Sequence, residues 1–336
     1  MRVLFIGGTG LISSACAQSA IARGHALTLL NRGVSRKYSP PAGAERITAD
    51  IHSDPAALSA SLGARRFDAV VDWIAFEPAD VERDIRLFLG NTGQFVFIST
   101  ASAYQKPPEH FPITEDTPLS NPFWDYSRKK ISCEERLLRA YREDGFPVTI
   151  VRPSHTYGPS QIPLCLSSWQ HPYTVIKRMM EGKKVIVPGD GTSLWTLTWN
   201  QDFAKGFVGL LGLKMAVGQA FHITSDEALT WNAIYRETGR AAGVEPDLIH
   251  IPSDLIAAYD PDSLGTLVGD KANNAVFDNA KIKRYVPDFS ATVSWSEGVR
   301  RALAWHRADA ARCTMDPEAD ALWDRIVEGY MRALPR

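Results

Sequence analysis

Tyr126 and Lys130 stand four residues apart in Trp124-Asp-Tyr-Ser-Arg-Lys-Lys130, a segment that predicts the start of a helix running to about Arg142. At that spacing two helical side chains share a face. A free phenol ionises near pH ~10, too high for a base at neutral pH, and an ammonium beside it favours the phenolate. The pair reads as a proton acceptor with its activator, acting on an alcohol. The hydroxyls to hold that alcohol end the apolar run Gln94-Phe-Val-Phe-Ile-Ser-Thr100. Thr100 is the first choice and Ser99 the second, with Ser102 just beyond. A Tyr-x-x-x-Lys pair is common on surface helices; its position after a hydroxyl-bearing strand is what gives it weight.

The element that would place a redox partner beside this pair lies at the start of the chain. Val3 to Ile6 form an apolar run read as a buried strand, and Gly7, Gly8, Thr9 and Gly10 follow it. A small-residue segment from Leu11 to Arg23 has helical character. Strand, glycine turn and helix in that order suit a dinucleotide pyrophosphate, because glycine admits the phosphates and the helix start offers unpaired N–H groups. Ala26 to Leu30 reads as a second strand ending at Asn31, Arg32 and Gly33. A carboxylate there would bind ribose hydroxyls, whereas Arg32 and Arg36 lean locally towards the extra phosphate of NADP. Arg46 to Asp50, Phe67 to Ile74 and Pro147 to Pro153 are further strands, and Asp80 to Leu89 is an amphipathic helix. Ligands of parallel α/β sheets sit beyond the carboxyl ends of strands. Candidate cofactor contacts are therefore Gly7, Gly8, Thr9, Gly10, Leu11, Ile12, Asn31, Arg32, Asp50, Ile51, Ile74, Ser99, Tyr126, Lys130, Pro153 and His155.

The alternation predicts an α/β fold, a Rossmann-type doubly wound parallel sheet, with a smaller C-terminal α/β substrate lobe. Residues 1–160 are expected to form the dinucleotide-binding domain, its sheet completed by part of 200–225, and 161–336 mainly the substrate lobe. Beyond Arg152 the chain is rich in tryptophan, with Trp169, Trp195, Trp199 and Trp231. Phe221 to Thr224 and Leu248 to Ile251 read as short strands, and Thr230 caps a helix that Gly243 stops. With 45% hydrophobic and 22% charged residues among 336, the composition is that of a soluble globular protein. A formal charge of −1 lacks the basic excess of a nucleic-acid binder. Cys16, Cys133, Cys165 and Cys313 show no metal or redox spacing, so no metal is expected and a reducing, cytoplasmic setting is. No run approaches the ~18 apolar residues of a membrane span, and no apolar leader precedes the first strand.

Taken together, GGTG at Gly7–Gly10, IST at Ile98–Thr100 with Tyr104 four residues later, YSRKK at Tyr126–Lys130 and RPSHTYGP at Arg152–Pro159 resemble the extended short-chain dehydrogenase/reductases, the NAD-dependent sugar epimerase/dehydratase family. The resemblance covers residues 1 to about 230 well and the tail to about 305 more weakly. It implies a Thr100–Tyr126–Lys130 triad, NAD as cofactor with NADP as alternative, Lys130 on the nicotinamide ribose, and often a homodimer. The chain departs from the family in several places. Ser13 stands at the third glycine. Ala101 and Ser102 replace the Asp-Glu pair of the nucleotide-sugar dehydratases, leaving Glu77, Glu109 and His155 as candidates for an extra acid. His155 replaces an asparagine, and Trp195 an arginine that clamps the substrate diphosphate. An indole offers a flat face and one N–H where arginine offers a fork of donors. Trp195 and Trp199 therefore point to an uncharged ring such as a sugar, glycoside or nucleoside, with Ser102, Glu77 and His155 as further substrate candidates.

The leading expectation is an enzyme that transiently oxidises a sugar hydroxyl and then eliminates water or inverts a centre. A net NADP(H)-dependent ketoreductase or dehydrogenase is one alternative, a nucleotide-sugar epimerase another. The glycine-rich start and the Asn-Arg-Gly ending the second strand are also similar to the chloroplast stem-loop RNA-binding relatives of the family. The near-neutral charge and the retained Thr100, Tyr126 and Lys130 argue against that reading. The expected partner is a small sugar-like molecule, with no nucleic acid and no membrane.

Overall fold

The run Val3–Ile6 is completely buried, as expected of a strand covered on both faces. In the computed structural model, which describes residues 1–335 except Arg36 and Asp54, this run lies within β1 (Arg2–Ile6). Six parallel partners join it: β2 (Ala26–Asn31), β3 (Glu45–Thr48), β4 (Ala69–Asp72), β5 (Phe95–Ile98), β6 (Val148–Pro153) and β10 (Ala220–Ile223). The order across the sheet is β10-β6-β5-β4-β1-β2-β3. The strand β10 comes from the second half of the chain and pairs with β6. Connections run outward in opposite directions from β1, so a crevice opens beyond the carboxyl ends of β1 and β4.

Helices α1 (Leu11–Ala22), α2 (Pro55–Leu62), α3 (Pro78–Phe88) and α4 (Asp125–Asp144) are the crossovers of the first half. The small residues of α1, with Ala15, Cys16, Ala17 and Ala20 buried, let it approach the sheet and α6 (Asn200–Leu210) closely; α5 is Thr174–Met180. The fourth strand is shorter than its apolar run because the Asp72 carboxylate accepts the Ile74 N–H at 2.6 Å and turns the chain. One apolar cluster covers each face of the sheet.

A third apolar cluster lies in the second half, around two small sheets. In these, β7 (His155–Tyr157), β9 (Leu194–Trp199) and β11 (Ala228–Thr230) form one, and β8 (Val185–Pro188) with β12 (Leu248–Ile251) the other. The Thr230 hydroxyl accepts the Ala233 N–H at the start of α7 (Trp231–Ala242), and Gly243 ends that helix at φ +88°. Trp195, Trp199, Trp231 and Trp295 are all buried here. Among the described residues no helix is long and apolar enough to cross a membrane, no group of acidic, histidine or cysteine side chains is placed to hold a metal, and the four cysteines are free thiols.

Candidate active site

Beyond β1 the chain turns through Gly7 and Gly8 at φ +97° and +100°, a region that side chains other than glycine rarely enter. A Cβ on Gly8 would lie 2.7 Å from Leu29 Cδ2. Ser13, at the place of a third glycine, is 4% exposed and accepts the Gly10 N–H on its Oγ at 2.8 Å. It therefore fits the close helix–sheet packing and also caps the turn.

This turn forms one end of a continuous cavity of about 1160 Å³, larger than the roughly 300–1,000 Å³ usual for a single small-molecule site. Gly7, Gly8, Thr9, Gly10, Leu11 and Ile12 line that end; Asn31, Arg32, Asp50 and Ile51 follow along the strand ends, then Ile74, Pro153 and His155. The Asn31 amide nitrogen is buried without a hydrogen-bond partner among the described residues, while its Oδ1 accepts the Gly33 N–H at 3.1 Å. A buried orphan donor beside an open cavity calls for an acceptor from outside the chain. A ribose hydroxyl fits that demand. Arg32 is exposed, and Arg36 lies outside the described residues. The glycine turn and the orphan amide both fit a dinucleotide.

Midway along the cavity stand Thr100, Tyr126 and Lys130. Burial pushes the Tyr126 phenol up to about 12, its hydrogen bond with Thr100 pulls it down, and the Asp270 carboxylate pushes it up again. Thr100 Oγ1 lies 2.9 Å from Ser102 Oγ, which lies 2.8 Å from the buried Ser127 Oγ, and Asn121 holds the end of this hydroxyl chain by donating to Ser127 and to the Ser102 carbonyl. The Lys130 ammonium donates to the Ala75 and Ile98 carbonyls at 2.7 Å each and lies 5.9 Å from the Tyr126 ring centre. Burial lowers it to about 8. The expectation that this ammonium pulls the phenol into the neutral range is thus not met in this arrangement: the amine is spent on carbonyls at the ends of β4 and β5, and desolvation of the phenol dominates.

Several candidates have other partners. The Ser99 hydroxyl donates to Glu134, which is buried and paired with Arg152 at 2.7 Å, so Thr100 is the hydroxyl left for a ligand. Glu77 starts α3 and pairs with Lys129 at 2.7 Å, and Glu109 accepts from Gln105; neither lines the cavity. Trp199 is also absent from its walls, because its ring packs 5.2 Å from Tyr157 inside the second-half core. Trp195 does line the cavity, but its N–H donates to the Asn273 carbonyl at 2.8 Å and its ring packs on Trp231. His155 sits edge-on to Trp195, and burial, with the Lys271 cation second, lowers it to about 3. It is a neutral imidazole.

The far end of the cavity is more charged than the tryptophan-rich sequence suggests. Lys106, Asp270 and Lys271 line it, as do Asp260, Asp262 and the exposed Trp169. Lys106 is buried and pairs with Asp270 at 3.4 Å. Sequence reasoning missed all five charged residues; the only local signal was the Gly-Asp-Lys triplet at 269–271 in the weakly resembling tail.

Residues 88–223 match the model of the NAD dependent epimerase/dehydratase family. The chain is 23% identical to the UDP-N-acetyl-alpha-D-glucosaminuronate decarboxylase of Bacillus cytotoxicus, the match covering 91% of this chain and 98% of that one. It is 27% identical to a chloroplast stem-loop binding protein of Arabidopsis thaliana over 74% of this chain and 65% of the other. The fold matches that of the UDP-glucuronic acid 4-epimerase of Bacillus cereus, solved in complex with NAD, with a TM-score of 0.70 and 21% identity over 93% of this chain and all of the other. With the glycine turn, the hydroxyl-ended fifth strand and the Tyr126–Lys130 helix in one crevice, this chain is similar to the enzymes of the NAD dependent epimerase/dehydratase family, whose model its residues 88–223 match.

Proposed function

We propose that this enzyme transiently oxidises a secondary hydroxyl of a sugar to a ketone, inverts or eliminates at the neighbouring centre, and then reduces the ketone again. NAD, held along Gly7 to Ile12, would supply both the acceptor and the donor of hydride, so that no net redox change is left after a turnover. Tyr126 takes the hydroxyl proton, Thr100 holds the same oxygen, and the Ser102–Ser127–Asn121 chain fixes Thr100. Gly7 to Ile12 would hold the pyrophosphate, Asn31 a ribose hydroxyl, and Lys130 the ribose next to the reacting ring. Asp270, which lines the cavity where Glu77 and Glu109 do not, would exchange a proton with the activated neighbouring carbon. The observation that carries the reading is the Tyr126 phenol and the Thr100 hydroxyl on the same cavity as the glycine turn. Pairing of two copies across α3 and α4, and a reducing cytoplasmic setting in which the four thiols stay free, belong to the same proposal.

The test begins with the protein as purified. Mass spectrometry of the denatured protein should release NAD, and incubation with nucleotide sugars and free sugars in D2O should place deuterium in one of them without added cofactor. Tyr126→Phe should slow that exchange by about 10²–10⁴-fold. A protein that retains no dinucleotide and binds none, or a Tyr126→Phe variant with unchanged exchange, would refute the reading. Arg32 at the adenosine end favours one alternative, an NADP(H)-dependent ketoreductase; stoichiometric consumption of NADPH with no exchange in its absence would establish it.

A further inference from the structure

The segment Ser263–Ala275 crosses the cavity as a strap, and its fastening explains what it presents. At one side the Asn121 amide donates to the Gly269 carbonyl at 2.8 Å. The approach is close at Gly269, where a Cβ would lie 3.1 Å from Phe123 Cβ and 3.2 Å from Asn121 Oδ1. At the other side Trp231 Nε1 donates to the Lys271 carbonyl at 3.0 Å, and Trp195 Nε1 to the Asn273 carbonyl at 2.8 Å. Between these anchors Leu267–Lys271 winds as a wide π-type turn, a form that often marks functional positions. The turn sends two neighbouring side chains to different walls. Asp270 goes to Lys106 and towards the Tyr126 phenol. Lys271 faces the cavity that His155 and Cys165 also line, and its charge acts on the ionisation of both.

Among the described residues the Lys271 ammonium has no ion pair and no hydrogen-bond acceptor, and neither ring nitrogen of His155 has a partner. Both residues line the cavity. The Lys271 carbonyl is held by Trp231, which packs on Trp195, and Trp195 meets His155 edge-on; an unpaired ammonium and a neutral imidazole that can donate one N–H, on one cavity wall, make a site for anionic oxygen. Asp260 and Asp262 line the same cavity, and after burial Asp262 is what raises Asp260. We propose that Lys271, with His155, binds an anionic oxygen group carried by the sugar substrate itself. Asp270 and Lys271 line the same cavity as Tyr126, so an anion on Lys271 belongs to the ligand that Tyr126 serves. A carboxylate on the ring, as in a sugar acid, and a phosphate on the ring are the two sources of that chemistry.

The inference rests on the sugar reading above, so its test measures binding rather than turnover. Calorimetry on the NAD-loaded protein would compare D-glucuronate, glucose 1-phosphate and D-glucose, each free and as the uridine diphosphate conjugate where one exists. One charge-assisted contact predicts that an anionic sugar binds about ten- to a hundred-fold more tightly than glucose. Preference for glucuronate identifies a carboxylate, and preference for the phosphate a phosphoryl group. Lys271→Met should erase the preference, and Lys271→Arg should keep most of it. Both leave the backbone carbonyl that receives Trp231, so an unchanged melting temperature separates lost charge from lost fold. Equal affinities for glucose and both anionic sugars, or a preference that survives Lys271→Met, would overturn the inference and leave the sugar reading standing. Failure of every sugar to bind would overturn both.

Discussion

Replacing Asp270 with asparagine should make Tyr126 easier to ionise and the protein easier to unfold, and the two effects should separate in a second variant. The phenol midpoint lies near 12, with the Asp270 carboxylate among the causes that raise it. At pH 7 five decades then separate the phenol from its anion, and each decade corresponds to about 1.4 kcal/mol. Two charges about 8 Å apart at an effective dielectric near 20 interact by about 2 kcal/mol. The Lys106 ammonium, 3.4 Å from Asp270, offsets part of that, so Asp270→Asn should lower the Tyr126 midpoint by roughly one unit. The same change leaves Lys106, whose side chain is 1% exposed, without its counter-charge, which costs on the order of 3–5 kcal/mol. Removing both charges in Lys106→Met/Asp270→Asn should recover most of the stability and return the midpoint close to its starting value. Phenolate absorbance near 295 nm, read as a difference against the Tyr126→Phe background, follows the midpoint, and urea unfolding follows the stability. An unchanged or raised midpoint in Asp270→Asn, or the same shift in the single and double variants, would refute the claim that this carboxylate faces the phenol.

Two further outcomes follow from the first strands. Gly8→Ala places a Cβ at φ +100° and 2.7 Å from Leu29 Cδ2; strain and overpacking together should destabilise the protein by about 2–4 kcal/mol in urea melts and weaken NAD retention, and a neutral result would mean that the turn can rearrange. Lys130, lowered by burial to about 8 from 10.5, binds fewer protons folded than unfolded between those values. Folding stability of the protein without NAD should therefore rise as pH increases through that window, by up to about 3 kcal/mol, relative to Lys130→Met; a flat difference between the two proteins would show the ammonium fully compensated by the Ala75 and Ile98 carbonyls.

What could be read ahead of the structure was what short range determines. The run Val3–Ile6, the glycines behind it and the small residues of α1 predict one another's positions, because a strand, a positive-φ turn and a helix start are each specified within a few residues. The pair Tyr126–Lys130 was legible for the same reason, through helical spacing. Their electrostatics were not, since a four-residue spacing is silent about the Ala75 and Ile98 carbonyls, which lie 55 and 32 residues away and hold the ammonium. The sequence ranks Thr100 ahead of Ser99, and the fold adds the reason: both line the cavity, but the Ser99 hydroxyl is spent on Glu134.

The substrate end shows where such reading stops and why. In the sequence an indole, Trp195, stands where the family carries an arginine, and with Trp199 close by it points to a neutral substrate. In the folded chain the indole N–H is spent on the Asn273 carbonyl, and Trp231 spends its own on Lys271. These partners lie 78 and 40 residues away in the sequence, beyond any periodicity. The two tryptophans bury their rings in the second-half core and hang the strap that carries Asp270 and Lys271 into the cavity. Loss of a cation on β9 therefore does not leave the cavity without one. A substitution read at a single position predicts the chemistry of that position; the charge of a cavity is a sum over every segment that reaches it, and here the deciding residue arrives on a strap held by backbone carbonyls, which no side-chain pattern records.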